Sequence, residues 1–118
     1  MAEEANRTDR PWGSFFILED GPSSKVKRLL VKPGERLSLQ SHKFRDEHWV
    51  IISGVAQVTL NDNTTEYRYG EHVYVPRGTK HRISNSGNVA VEIIEVQTGE
   101  SFAEEDITRY SDDYGRAQ

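Results

Sequence analysis

Four side chains in two short segments have the types and spacing of a metal centre. Gln40 and His42 are two residues apart in a segment that alternates polar and apolar residues. In an extended strand that spacing places both side chains on one face. Glu47 follows a charged step over residues 43–46, which we interpret as a turn, and His81 comes further along the chain. An amide oxygen, two imidazoles and a carboxylate suit zinc, iron, manganese or similar divalent ions, so the sequence predicts a metal-centred barrel.

Short strands separated by turn residues must position these side chains. Segments with alternating or apolar character end repeatedly at Pro, Gly, Asn or Asp, which favour turns. A hairpin is expected where residues 56–60 and 65–69 flank Asn61-Asp62-Asn63. Many short strands at this spacing indicate an all-β sandwich or barrel. The predicted strands cover residues 15–18, 26–32, 37–42, 49–52, 56–60, 65–69, 71–75, 80–84 and 89–97.

The composition is that of a small, acidic chain. It has 118 residues, a hydrophobic fraction of 35% and a net charge of −4. That charge argues against non-specific nucleic-acid binding, which needs a basic surface. No apolar run is as long as a membrane span, and the polar N-terminal residues do not resemble a signal peptide. The absence of cysteine excludes thiolate metal sites, and a soluble, cytoplasmic protein is expected by default.

One domain is expected, because 118 residues leave no room for a second core. We predict a disordered N-terminus over residues 1–9 and a barrel over residues 10–100. Residues 101–118 are expected to form a tail that packs on or near the barrel mouth, with one helical turn near Glu104–Asp106. Exposed sheet edges and the apolar run at residues 50–52 favour a homodimer.

Two glycine-bracketed segments match the two motifs of the cupin superfamily in order and spacing. The first opens at Gly34, closes at Gly54 and contains Gln40, where many cupins have histidine. The second opens at Gly70 and contains Pro76, Gly78, His81 and Asn85. This resemblance implies the cupin double-stranded β-helix, a small antiparallel jelly-roll barrel with a metal at its lumen.

A narrower resemblance covers nearly the whole chain. The chain is similar to the bacterial type II phosphomannose isomerases at residues 10–15, 26–28, 31–34, 37–40, 47–49, 76–82, 94–99 and 113–116. In that family the module is usually the C-terminal isomerase half of a bifunctional enzyme, and the other half is a mannose-1-phosphate guanylyltransferase. A transferase domain does not fit in 118 residues, so this chain alone is expected to lack that activity.

The resemblance implies a mannose-6-phosphate isomerase that interconverts mannose 6-phosphate and fructose 6-phosphate through an enediolate. One divalent ion would stabilise the negative charge on the sugar oxygens, and an acid/base group would move the proton between carbons. Zinc is our first choice of ion, with manganese, cobalt, nickel or iron as alternatives that suit the same donors. The proposed metal ligands are Gln40, His42, Glu47 and His81.

Lys27 and Arg116 are the candidate catalytic residues. Lys27 shares a strand face with Leu29 and Val31, and a lysine in an apolar lumen has a lowered pKa and would act as a base. The alternative places Lys27 on the solvated outer surface. Arg116 would fold over the barrel mouth to contact substrate, or else it is simply a charged residue near the terminus.

Arg82, Glu95 and Gln97 are the candidate substrate-binding residues. Arg82 neighbours a ligand of the second motif and would bind the phosphate, with Arg45, Lys80 and Lys43 as other nearby cations. Glu95 and Gln97 would be polar groups at a pocket mouth, or part of a strand that emerges into water.

Three functions compete. The first is the isomerase, and its ligand would be a sugar phosphate. The second is a non-catalytic cupin that binds a sugar phosphate or sugar nucleotide as the partner of a separate mannose-1-phosphate guanylyltransferase. The third is another metal chemistry on the same barrel, such as an iron dioxygenase, since one fold hosts many reactions. A cupin that kept the barrel without using a metal is the alternative for all four ligands.

Overall fold

Two antiparallel sheets face each other in the computed structural model, which describes residues 6–115. The predicted all-β jelly roll is therefore confirmed. The strands are β1 (Arg7–Arg10), β2 (Gly13–Asp20), β3 (Ser24–Val31), β4 (Leu39–Ser41), β5 (Arg45–Ser53), β6 (Ala56–Leu60), β7 (Asn63–Tyr67), β8 (His72–Val75), β9 (His81–Ser84), β10 (Val91–Gly99) and β11 (Thr108–Ser111). The first sheet has the order β1-β2-β3-β10-β5-β8, and the second has the order β11-β4-β9-β6-β7.

The inward faces of β5 and β10 supply much of the core. Every second residue of each strand is buried, which is the alternation expected of strands that have one face on a core. Ile51 pairs with Ile93, and further along the same strands Glu47 pairs with Gln97. The core therefore changes from apolar to polar along the barrel axis. Its apolar members are Trp12, Leu29, Val31, Trp49, Ile51, Ala56, Val58, Val73, Val75, Ile83, Val91 and Ile93.

The N-terminal segment differs from its prediction. Disorder is predicted over residues 1–9, but Arg7–Arg10 form β1 and pair with β2 along their whole length. The prediction is wrong for residues 7–9, because a short polar edge strand has no hydrophobic pattern to reveal it. Arg7 adds a cation–π contact, with its guanidinium carbon 5.9 Å from the centre of the Phe16 ring. Residues 1–5 lie outside the described part of the chain.

The C-terminal segment adds a strand that the sequence pattern does not predict. The expected helical turn is confirmed as a 3₁₀ turn over Glu104–Asp106, and β11 follows and pairs with β4. Tyr110 and Ser41 share a hydrogen bond of 2.9 Å between their hydroxyl groups. Arg36 donates two hydrogen bonds to Asp113. The tail is thus fastened to the edge of the second sheet beside the strand that carries Gln40.

Two strand boundaries near the first motif also differ from the prediction. β4 has only three residues, so His42 lies just beyond its end, whereas β5 begins at Arg45 inside the predicted turn. Gly54 ends the motif with φ of 79°, and a Cβ there would lie 2.5 Å from the Ala90 carbonyl oxygen. Only glycine fits that turn.

Among the described residues, no helix has the length and apolar character needed to cross a membrane.

Candidate metal centre

His42, Glu47 and His81 converge in the polar part of the core. All three side chains are buried, and one donor atom from each lies within 4.8 Å of the others. Glu47 Oε2 is 3.1 Å from His42 Nε2, and Glu47 Oε1 is 4.0 Å from His81 Nε2. Donors around one ion at about 2.0–2.2 Å lie about 3–4 Å apart. The set is slightly more open than that, and a small side-chain rotation would close it.

Local structure fixes the orientation of each group. Glu47 lies on the inward face of β5, and His81 is the first residue of β9. His81 Nδ1 donates a hydrogen bond of 3.0 Å to the Thr79 carbonyl oxygen. That hydrogen bond leaves the lone pair on Nε2, the nitrogen that faces Glu47, which is the arrangement of a metal-binding histidine.

The charges in this cluster favour an ionised Glu47. Burial alone would raise its pKa, but the hydrogen bond to His42 and the charges of the histidines and Arg45 outweigh burial, and the pKa lies well below the usual range. Burial lowers the pKa of His81, against the opposing effect of Glu47. Both shifts favour the protonation states that bind metal, a carboxylate and a neutral imidazole.

The donor chemistry fits a divalent cation. His42 Nδ1 is buried and has no hydrogen-bond partner among the described residues, which is costly unless another group satisfies it. Gln40 is directly paired with His81 across β4 and β9, and both side chains line a single cavity inside the barrel. Its amide nitrogen donates to Ser38 Oγ at 2.9 Å. His42, Glu47 and His81 could therefore hold an ion, with the Gln40 side chain beside them.

Arg45 is the nearest cation to this cluster, and the sequence suggests it only as a secondary phosphate ligand. Its Nε donates to Glu47 Oε2 at 3.2 Å, and its Nη2 is 3.3 Å from His42 Nε2. The guanidinium thus contacts two of the three candidate ligands. Arg45 and Glu47 are two residues apart, so an extended segment would have placed them on one face. The predicted turn over residues 43–46 concealed this signal.

Glu95 and Gln97 are buried beside the cluster. Of the two alternatives from the sequence, the strand emerging into water is wrong, because these side chains are only 6% and 2% exposed. Gln97 Nε2 donates to Glu95 Oε1 at 2.7 Å, and Trp49 Nε1 lies 3.1 Å from both Glu47 Oε1 and Glu95 Oε2. Burial and the charge of Glu47 raise the pKa of Glu95 to about 8.

Lys27 faces the cavity rather than the outer surface. It pairs with Glu95 across β3 and β10, and its Nζ lies 4.5 Å from the centre of the Phe15 ring. Burial lowers the pKa of Lys27, and the charge of Glu95 opposes that shift. A lysine and a carboxylic acid with pKa values displaced toward each other are the kind of pair that can exchange protons with a bound ligand.

Arg82 has a structural environment that the sequence does not suggest. Its Nε donates to the Leu37 carbonyl oxygen at 2.8 Å, and its Nη2 donates to the carbonyl oxygen and hydroxyl of Ser111 at 3.1 and 3.3 Å. Arg82 lines the cavity, but these bonds hold β11 against the barrel and occupy donors that a phosphate would need. Arg116 lies outside the described residues.

The cavity that joins these residues carries positive charge in an acidic protein. Five cationic side chains line it, against three acidic ones of which Glu95 is largely neutral near pH 7. The whole chain has a net charge of −4. This local excess of positive charge suits an anionic ligand. The cations are Arg10, Lys27, Arg45, Arg82 and Arg109.

Solved structures with low sequence identity share the fold. The chain aligns with the capsular polysaccharide assembling protein CapF of Staphylococcus aureus at a TM-score of 0.77 and 23% identity, over 89% of this chain and 31% of CapF. It aligns with a Klebsiella pneumoniae protein that has a double-stranded β-helix domain at a TM-score of 0.75 and 19% identity, over 87% and 90% of the two chains. These likenesses establish the cupin double-stranded β-helix.

Curated relatives are much closer in sequence. The alginate biosynthesis protein AlgA of Pseudomonas aeruginosa is 48% identical over 91% of this chain and 22% of AlgA. The xanthan biosynthesis protein XanB of Xanthomonas campestris is 45% identical over 91% of this chain and 23% of XanB. A mannose-1-phosphate guanylyltransferase of Salmonella montevideo gives the same figures as XanB. The chain thus spans less than a quarter of the length of these relatives.

The sequence model of one protein family matches almost the entire chain. The match runs from residue 2 to residue 112, and the family is described as the C-terminal part of mannose-6-phosphate isomerase. It takes in both cupin motifs, the three clustered donors and the strand β11. The chain belongs to the mannose-6-phosphate isomerase C-terminal family.

Proposed function

We propose that this protein is a metal-dependent sugar-phosphate isomerase that interconverts mannose 6-phosphate and fructose 6-phosphate. The observation that carries the proposal is the buried cluster of His42, Glu47 and His81, of which Glu47 and His81 line a cavity with an excess of positive charge. Membership of the family supports the substrate class. The relatives contain this module as a small part of a longer protein, so activity of the chain itself is part of the proposal.

His42, Glu47 and His81 would hold the ion, and Gln40 would complete the set through its amide oxygen. Zinc remains the first choice, with manganese, cobalt, nickel or iron as alternatives. A divalent ion bound there supplies positive charge that stabilises negative charge developing on the substrate oxygens. The hydrogen bond from His81 to Thr79 keeps that imidazole in the ligating tautomer.

Lys27 and Glu95 are the candidates for moving the proton between the adjacent sugar carbons. They face each other across neighbouring strands and are both enclosed by the cavity. The pKa of Glu95, raised to about 8, allows it to gain or lose a proton near neutral pH, and burial lowers the pKa of Lys27 toward that of Glu95. Gln97 holds Glu95 in place through its hydrogen bond. Arg116 as a second catalytic residue stays a prediction.

A coupled assay that follows fructose 6-phosphate formation tests the proposal directly. Purified protein is assayed as isolated, after treatment with a chelator, and after addition of each candidate metal. Turnover of mannose 6-phosphate that falls on chelation and returns with one metal is the expected result. The control is chelator-treated protein without added metal, and the metal content of every sample is measured. Metal-loaded protein without turnover would refute the isomerase.

A second candidate is a non-catalytic module that binds a sugar phosphate or sugar nucleotide beside a separate guanylyltransferase. The observation that favours it is the coverage of only 22–23% of relatives, one of which is named a mannose-1-phosphate guanylyltransferase. Thermal stabilisation by mannose phosphates without any turnover would support this function over the isomerase. A homodimer and a cytoplasmic location also stay predictions.

A further inference from the structure

Arg10 lies at the mouth of the cavity, on the strand that the sequence pattern fails to predict. Its guanidinium carbon is 5.3 Å from the centre of the Phe15 ring, and Lys27 Nζ is 4.5 Å from the centre of the same ring. One aromatic side chain therefore holds two cations at the cavity wall. The Arg10 side chain is 33% exposed, whereas Glu47 in the metal cluster is 3% exposed. Arg10 thus marks the outer end of the cavity and the metal cluster marks the inner end.

Two other arginines of the cavity use their N–H groups within the protein. Arg45 contacts Glu47 and His42, and Arg82 donates to backbone and hydroxyl oxygens of its neighbours. Among residues 6–115, Arg10 has a single hydrogen bond, from Nη1 to the Asp9 carbonyl oxygen at 3.1 Å. A guanidinium has five N–H donors in a planar fork that matches the oxygens of a phosphate. Arg10 therefore retains donors for an anionic ligand.

A carboxylate already occupies the position that such an anion would take. Glu104 Oε1 lies 4.0 Å from Arg10 Nη2, and the Glu104 side chain is 80% exposed. Both residues line the cavity. An exposed ion pair at that distance contributes little, so a doubly charged phosphate would displace Glu104 readily.

We propose that Arg10 binds the phosphate group of the substrate, and that the Glu104 carboxylate pairs with the Arg10 guanidinium when no substrate is bound. The proposal rests on the proposed function for the identity of the sugar. The 6-phosphate lies at the opposite end of the sugar from the carbons that exchange the proton. A phosphate at Arg10 would therefore direct those carbons toward the inner end of the cavity, which Glu47 and His81 of the metal cluster line.

Three variants test the proposal, and ligand binding is expected to weaken in one, tighten in another and stay unchanged in the third. Arg10→Gln removes the charge, and Glu104→Gln removes the competitor. Arg7→Gln is the matched control, because Arg7 is on the same strand but bonds to Asp9 and contacts Phe16, which lies on the face of β2 opposite Phe15. Calorimetric titration with inorganic phosphate and with mannose 6-phosphate measures Kd, and the isomerase assay measures KM.

Arg10→Gln is expected to weaken binding of both ligands about 10- to 100-fold, the loss expected for charged hydrogen bonds to a phosphate. Glu104→Gln is expected to tighten binding roughly two- to fivefold, as an exposed ion pair is relieved. Arg7→Gln should leave Kd within about twofold of the parent protein, since Arg7 does not line the cavity. KM should follow Kd in every variant while metal content stays constant.

Equal phosphate affinity in Arg10→Gln and Arg7→Gln would overturn the proposal, as would a parent protein that binds neither ligand. Weaker binding in Glu104→Gln would overturn the role of Glu104. Glu104 is exposed, so that variant reports on the site even if Arg10→Gln fails to fold. Absence of turnover together with the expected Kd pattern would refute the isomerase and leave the phosphate site intact.

Discussion

Strands β5 and β10 cross the middle of the first sheet, and their inward side chains differ at the two ends. At one end Ile51 lies opposite Ile93, and neither is exposed to solvent. At the other end Glu47 lies opposite Gln97, and these are only 3% and 2% exposed. The side chains are buried at both ends, and what differs between the ends is their polarity.

The comparison separates stability from function within a single pair of strands. Apolar burial at the Ile51 end stabilises the fold, whereas buried charges at the Glu47 end oppose folding unless partners compensate them. Hydrogen bonds and ion pairs among Glu47, Arg45, Trp49 and Gln97 compensate much of that cost. Stability alone favours an apolar core at both ends, so the polar end is the part of the core that the proposed function explains.

The largest expected effect is at the polar end. If the proposed function holds, His81→Ala should remove bound metal and lower isomerase activity by roughly 10³-fold or more, because a bound ion would contribute several kcal/mol to stabilising the transition state. Elemental analysis and the coupled assay measure both quantities. Ile93→Val at the apolar end is the control and should keep both. A His81→Ala protein with full metal and activity would show that His81 is not a ligand.

Lys27→Met tests the proton-transfer role separately from metal binding. We expect kcat to fall roughly 10²- to 10⁴-fold, the usual contribution of a positioned acid or base. Metal content should not change, because Lys27 packs over the Phe15 ring and is not one of the proposed ligands. Melting temperature should stay the same or rise, since an apolar side chain replaces a buried ammonium group. A change in KM alone would instead indicate a substrate-binding role.

Ile93→Ala should show the reverse of Lys27→Met, with a loss of stability and no loss of kcat. Ile93 is fully buried, and removal of its side chain leaves a cavity, so the free energy of unfolding should fall by about 2–5 kcal/mol. Denaturant titration measures this loss. The kcat of the remaining folded protein should match that of the parent. A large loss of kcat without loss of stability would contradict the division between the two ends.

Glu95 predicts how stability depends on pH in the metal-free protein. Its pKa is about 8 in the folded protein, above the ordinary value of 4.5, because burial favours the neutral acid. Its contribution to stability is therefore complete below about pH 4.5 and is lost as the pH rises through 8. Melting temperatures in the presence of chelator should fall over that range, and less in Glu95→Gln. Identical slopes in the two proteins would contradict the raised pKa.

The smallest effect is expected on the outer face of the same strand β5. His48 points away from the cavity, and its Nδ1 lies 3.2 Å from His72 Nε2 on β8. His48→Gln should therefore change the unfolding free energy by about 1 kcal/mol or less and leave kcat unchanged. Denaturant titration and the coupled assay check these values. A clear loss of activity would mean that the outer face also serves the site.

The sequence predicts the barrel and brings together His42, Glu47 and His81 because motif spacing and strand alternation are local signals. It fails where long-range pairing decides the structure. β1 and β11 are short edge strands without a hydrophobic pattern, and their pairing with β2 and β4 exists only in the folded protein. The contact of Arg45 with Glu47 and His42 was not predicted, because a run of charged residues resembles a turn even when it begins a buried strand.

The surroundings of the candidate substrate-binding residues were harder to predict than those of the candidate metal ligands, for the same physical reason. Arg82 neighbours His81 in the second motif, but its donors are taken by Leu37 and Ser111, and Ser111 belongs to the unpredicted strand. Arg10 belongs to the other unpredicted strand. The partners of a flexible cation depend on the tertiary structure around it, which adjacent residues do not reveal.

The position of β10 in the chain has a consequence for how the protein folds. β10 lies between β3 and β5 in the sheet, yet it begins at Val91, long after β5 has ended at Ser53. During synthesis on the ribosome, the edges of β3 and β5 that pair with β10 stay unpaired until residue 99 has emerged. Folding should therefore be late and slow, and fragments that stop before Val91 should aggregate rather than form a smaller folded unit.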